Sequence, residues 1–168
     1  SHGVRGVGYD VAHLTAELAR ALGVTRTWPV AIVGMGNLGR ALAAYSGFAP
    51  EGFDIVAVLD HDPALVGDSV GGLSVRPMTD LPILVAEKGI GIGVLATSVA
   101  GAQSAADSLI AAGVEAILSF VPVALAVPPH VSVRRVDLAT ELHVLAFLRQ
   151  SDSIAATTPN PTDVGRAG

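Results

Sequence analysis

The sequence predicts a doubly wound α/β fold, a mostly parallel sheet with helices on both faces. Three observations carry this: short β-branched apolar runs, helical periodicities between them, and a glycine-rich turn directly after the first run. The 168 residues suit one domain of ordinary size, and a composition of 51% hydrophobic with only 15% charged residues supplies ample core.

From Asp10 onward Val11, Leu14, Leu18 and Leu22 recur at helical spacing until Gly23, after a glycine-punctuated start, Gly3 to Gly8, expected to be flexible. Residues 1–28 are therefore expected to be a linker and one helix, ahead of a sheet domain over 29–150. Val30-Ala-Ile-Val33 and Asp54-Ile-Val-Ala-Val-Leu59 read as buried parallel strands, separated by an alanine-rich helix from Asn37 to about Gly47. An edge or hairpin segment (Gly71 to Arg76) follows. After it come a helix (about Thr79 to Lys88), a strand (Ile90 to Ala96), a helix (Ala100 to Ala112) and a strand (Ala116 to Phe120).

A short strand from Val131 to Arg134 leads to a helix opening at Asp137 and running to about Gln150. Leu138, Leu142, Val144, Leu145, Phe147 and Leu148 cover most of that helix's circumference, so another surface must bury part of it. Ser151 to Gly168 lacks periodicity and is expected to be a disordered tail.

Several function classes fall away on composition. The formal charge of −5, with no basic cluster, predicts poor nucleic-acid binding by these residues alone. The absence of cysteine removes disulfides, thiolate metal sites and a cysteine nucleophile, and fits a cytoplasmic protein. Two uncharged stretches, Gly89 to Ala106 and Ala116 to Val133, are interrupted by glycines, polar residues or Pro122, Pro128 and Pro129. They read as strands leaving for loops, not as membrane spans. The Ser-His-Gly start has neither a basic leader nor an apolar run. No two of the five histidines stand at metal-ligand spacing, so no metal is expected.

The strongest chemical signal is Gly34-Met35-Gly36-Asn37-Leu38-Gly39, a GxGxxG between a strand and a helix. Gly34 permits the tight turn, Gly36 lets the backbone approach a pyrophosphate, and Gly39 allows close helix packing beside free N–H donors. Asp60, twenty-one positions after Gly39 at the end of the second strand, is placed to grip an adenosine ribose; its charge would repel a 2′-phosphate. The expectation is a Rossmann-type fold that binds NADH and NAD⁺. His61 beside Asp60, Thr97 and Ser98 after one strand, and Ser119, Phe120, Val121 and Pro122 after another are further candidates, because open α/β sheets bind ligands beyond their strands' carboxyl ends. Asp137 reads as a helix N-cap and Tyr45 as a packing residue.

No acid, base or substrate pocket remains once the sheet is built, so a binding or sensing role is favoured over catalysis; an NAD-dependent oxidoreductase fragment or a coenzyme A binding domain stay as alternatives. At this point the sequence resembles the Rex family of redox-sensing transcriptional repressors. The resemblance rests on Arg5-Gly-Val-Gly-Tyr-Asp-Val11, Val33-Gly-Met-Gly-Asn-Leu-Gly39, Ala41-Leu-Ala-Ala-Tyr-Ser-Gly-Phe48, Leu59-Asp-His-Asp-Pro63, Ala112-Gly-Val-Glu-Ala-Ile-Leu118 and Val136-Asp-Leu-Ala139.

The resemblance implies a homodimer built on the C-terminal helix (137–150), exchanged between protomers, and an N-terminal winged-helix DNA-binding domain to which nothing in these residues corresponds. It implies a repressor that leaves its operator when NADH displaces NAD⁺. It also raises Tyr45 and Asp137 to a switch pair across the dimer and sets Leu138 against the nicotinamide. Where the family carries proline after its threonine and an Asn-Phe-Ala-Pro segment, this chain has Ser98 and Ser119-Phe-Val-Pro122. Weaker NADH/NAD⁺ discrimination is therefore expected.

Overall fold

β1 (Trp28–Val33) is the centre of the molecule, and its side chains alternate between two cores. Ala31 and Val33 enter one cluster with Leu59, Leu81, Leu95 and Leu109, while Val30 and Ile32 enter another with Met35, Val58, Val75 and Val94. Such two-sided burial requires a parallel strand covered on both faces. The structure is a computed structural model that describes residues 11–21 and 26–157.

After α1 (Val11–Ala21) and β1 come α2 (Asn37–Ala44), β2 (Phe53–Asp60), the hairpin β3 (Ser69–Val70) and β4 (Leu73–Ser74), and β5 (Arg76–Pro77). The chain continues through α3 (Leu81–Lys88), β6 (Ile92–Leu95), α4 (Ala102–Ala111), β7 (Ala116–Ser119), β8 (Ser132–Arg135) and α5 (Leu138–Thr157). Six strands form one parallel sheet in the order β5-β2-β1-β6-β7-β8. The chain winds outward from β1 through β2 and β5, then returns to build β6, β7 and β8 on the other side. The crevice between β1 and β6 is thus the topological switch point. Pro77 and the exposed Arg134 and Arg135 occupy the two edges, where a missing N–H donor or a charge discourages further pairing.

The strands end flush at their carboxyl side. Gly34 N–H donates to the Leu59 carbonyl (2.9 Å), Ala96 to Val33 (2.9 Å), Phe120 to Leu95 (2.9 Å) and Val136 to Ser119 (2.8 Å). Four loops therefore start side by side along one edge.

α3 and α4 cover one face, joined by the extended β7–β8 crossover. There Val121, Val123, Leu125 and Val127 point inward at every second position. The Gln103 amide pins that crossover, donating to the Ala126 carbonyl and accepting the Ala126 N–H, both at 2.9 Å. On the opposite face α2 and the hairpin cover only part of the sheet. An apolar groove of about 270 Å³ remains, lined by Val30, Ile32, Phe48, Phe53, Ile92, Val94, Leu118 and Phe120.

The predicted fold class holds, with three corrections of detail. The helix expected to reach Gly47 stops at Ala44, because Tyr45 turns extended (φ −70°, ψ 122°) and its N–H bonds back to Leu42. The edge segment over 71–76 resolves into the hairpin around Gly71 and Gly72 plus the edge strand β5. The C-terminal helix continues to Thr157, so residues 151–157, expected as tail, are helical; no Gly or Pro interrupts them before Pro159. The expected flexible start, Gly3 to Gly8, and tail residues 158–168 lie outside the described residues. No helix among the described residues is long and apolar enough to cross a membrane.

Candidate functional site

The turn after β1 is shaped by what a side chain would strike. Gly34 adopts φ +103°, and a Cβ there would lie 2.5 Å from the Ala96 carbonyl oxygen; a Cβ on Gly39 would collide with the Gly34 carbonyl. Gly36 differs. It has ordinary backbone angles (φ −75°) and no protein atom within 4 Å of a Cβ position, so nothing in the fold requires glycine there. Its missing side chain leaves space in front of the first turn of α2, where backbone donors are unpaired.

Asp60 closes this cradle from the end of β2. Its carboxylate is almost fully buried; Oδ2 accepts the Met35 N–H at 2.7 Å and Oδ1 the Asp62 N–H at 2.8 Å, with His61 Nδ1 at 3.4 Å from Oδ1. Each oxygen keeps a lone pair for a ribose hydroxyl. From the other side Arg40 holds the turn. Its Nε donates to the Met35 carbonyl (2.9 Å) while a terminal nitrogen pairs with Asp68 (2.9 Å).

Gly34, Gly36, Asp60, His61, Thr97 and Ser98 meet in a cavity of about 370 Å³. Ser98 Oγ accepts the Gly101 N–H (3.3 Å) and Thr97 Oγ1 donates to the Ser98 carbonyl (2.9 Å), which folds that loop toward the cavity. Ala96, Met78, Gly101, Ser104, Ala105 and Ser108 complete the lining. Of these, Met78 and the α4 residues were not singled out from sequence. Positions 101, 104, 105 and 108 do share one helical face, a signal that would have found them once α4 was aligned with the glycine turn.

Other candidates fall elsewhere. Met35 is buried in the core behind the turn, while Asn37 and Leu38 are exposed on the first turn of α2. Ser119 and Val121 are buried, with the Ser119 hydroxyl accepting the Val121 N–H (3.2 Å); Pro122 is exposed, and Phe120 lines the apolar groove on the opposite sheet face. Tyr45 is 59% exposed and sets its ring edge-on to Phe48, with centroids 4.8 Å apart. Asp137 caps α5: its Oδ1 accepts the Thr140 N–H (3.2 Å). That bond, with further hydrogen bonds from the Thr140 side chain and Ala139, holds its carboxyl below the usual carboxylate range. Leu138 stands exposed beside it. Among the described residues no three His, Asp or Glu side chains gather as a metal site.

Residues 25–123 match the family model described as CoA binding domain and belong to that family at the level of the domain. The redox-sensing transcriptional repressor Rex of Streptomyces griseus is 51% identical over 150 residues, covering 89% of this chain and 59% of the relative. The crystal structure of RSP, described as a Rex-family repressor, superposes with a TM-score of 0.76 at 33% identity, over 89% of this chain and 72% of RSP. This chain belongs to the Rex family. It spans about three fifths of the length of the Streptomyces Rex proteins it matches. RSP has also been solved with beta-NADH (TM-score 0.76, 32% identity) and with beta-NAD⁺ and operator DNA (TM-score 0.74, 32% identity), covering 72–73% of RSP and 90–93% of this chain. A match over 150 of the 168 residues takes in the glycine cradle and Asp60.

Proposed function

We propose that this chain is the NAD(H)-binding and dimerisation part of a redox-sensing repressor that reads the NADH/NAD⁺ ratio in the cytoplasm, NADH releasing the full-length protein from operator DNA. DNA is met through a winged-helix domain outside these residues. The observation that carries the reading is the open position at Gly36, faced by the Asp60 carboxylate at the switch point. The vacant Cβ position gives a pyrophosphate room against backbone donors, and Asp60 suits a ribose with free hydroxyls. The domain holds the cofactor without turning it over.

The CoA binding domain match makes coenzyme A the second reading. Coenzyme A carries a phosphate on its adenosine ribose, and Asp60, with no Lys or Arg lining the cavity, would repel it.

The homodimer through α5 is supported by two unpartnered apolar surfaces. Leu138, Leu142, Val144, Leu145, Phe147 and Leu148 are all about half or more exposed, and the groove opposite is wholly apolar. With a partner's α5 seated in that groove, the Rex resemblance sets the partner's Asp137 against Tyr45, which touches the groove-lining Phe48. The switch then works by population: NADH and NAD⁺ shift the protomer angle only by their differential affinity, about 1.4 kcal/mol per tenfold ratio. Leu138, Thr97, Ser98, Ser119, Val121 and Pro122 would lie toward the nicotinamide, whereas Phe120 turns into the groove that the partner's α5 would fill. Ser119 and Val121 would weaken the discrimination between the two redox forms.

Calorimetric titration of NADH, NAD⁺ and coenzyme A tests the reading. Both dinucleotides should bind, and Gly36→Val should weaken them by at least tenfold, about 1.4 kcal/mol, without changing the fold. Displacement of NADH by coenzyme A, or consumption of NADH with a simple alcohol or acid, would overturn it.

A further inference from the structure

The cavity that holds Gly34, Gly36 and Asp60 is lined as well by Met78, from the segment after β5, and by Ser104, Ala105 and Ser108 of α4. A ring inserted there meets apolar flanks and, from α4, hydroxyls. Ser108 has a defined polarity. Its Oγ donates its single hydrogen to the Ser104 carbonyl at 3.0 Å, so toward the cavity it presents lone pairs only. A hydroxyl fixed in this way accepts hydrogen bonds and offers none unless the helix contact is given up.

We propose that Ser108 reads the purine base of the bound dinucleotide, accepting from the 6-amino group of adenine and disfavouring a 6-keto purine. The inference rests on the dinucleotide reading above: with the pyrophosphate on the glycine turn and the ribose on Asp60, the base lies beyond the ribose, in the slot between Met78 and α4. A 6-keto oxygen placed there sets acceptor against acceptor, and the half-buried hydroxyl gains no hydrogen bond from position 6.

The test compares NADH with reduced nicotinamide hypoxanthine dinucleotide, in which a 6-keto oxygen replaces the 6-amino group and N1 carries a hydrogen, by fluorescence titration of the 168-residue chain and its variants. The wild-type chain should prefer NADH by about tenfold. Ser108→Ala should bring the ratio close to one, chiefly by weakening NADH. Ser108→Thr, which keeps a hydroxyl able to bond back to the helix, should retain the preference. Equal affinity of the wild-type chain for both, or a ratio unchanged by Ser108→Ala, overturns the role of Ser108 while leaving dinucleotide binding intact. Failure of both compounds to bind overturns the dinucleotide reading and this inference with it.

Discussion

On the α3/α4 face the chain supplies its own cover: two helices and the extended crossover close over Leu59, Leu95 and Leu109, leaving those side chains without solvent exposure. On the opposite face α2 and a short hairpin leave Val30, Ile32 and Val94 at the floor of an open groove, while α5 carries six apolar side chains that stand exposed among the described residues. One face is finished locally. The other has the composition of a core and the geometry of an interface, which is what a chain completed by a second copy would show.

The strongest way to break this contrast is to spoil the helix. Leu142→Glu with Leu145→Glu, one turn apart on the same side of α5, should raise the dimer dissociation constant by at least about a hundredfold, because two carboxylates would have to be desolvated in an apolar groove. Sedimentation should then show a folded monomer. A persisting dimer would mean that α5 is not the cover.

A milder test separates the faces by stability. Leu109→Ala on the closed face should cost about 2–5 kcal/mol in denaturant unfolding at any protein concentration. Phe53→Ala, at the groove and 36% exposed, should cost about 1 kcal/mol or less in dilute solution and more as concentration rises. Equal, concentration-independent costs would erase the distinction.

The smallest effect concerns where α5 begins. The folded Asp137 carboxyl lies below its usual range through the Thr140 backbone bond first, so its capping contribution is complete at neutral pH and is lost as pH falls through that lowered value. The Thr140 amide should lose protection from hydrogen exchange in acid, and Asp137→Ala should remove that pH dependence.

The glycine turn, Asp60 and the alternation of strands and helices were legible in the sequence because each depends on short spacings and on the rule that parallel strands alternate with helices. The inner wall of the cavity was not. Met78 and Ser108 come from separate elements thirty positions apart, and only the folded sheet brings them to one cavity. The crossover was read as a loop because of its prolines, although Val121, Val123, Leu125 and Val127 alternate in the sequence as a strand's residues do. The length of α5 was underestimated for the converse reason: Ser151 to Thr157 lacks an apolar stripe, yet nothing in it stops a helix already nucleated.

Arg40 gives the glycine turn a property that its own sequence does not encode. By binding the Met35 carbonyl and Asp68 together, it braces the turn against the segment before the hairpin. The backbone that would meet a diphosphate is rigidified when the protein folds, so an incoming molecule finds a preorganised receptor and loses little affinity to ordering it.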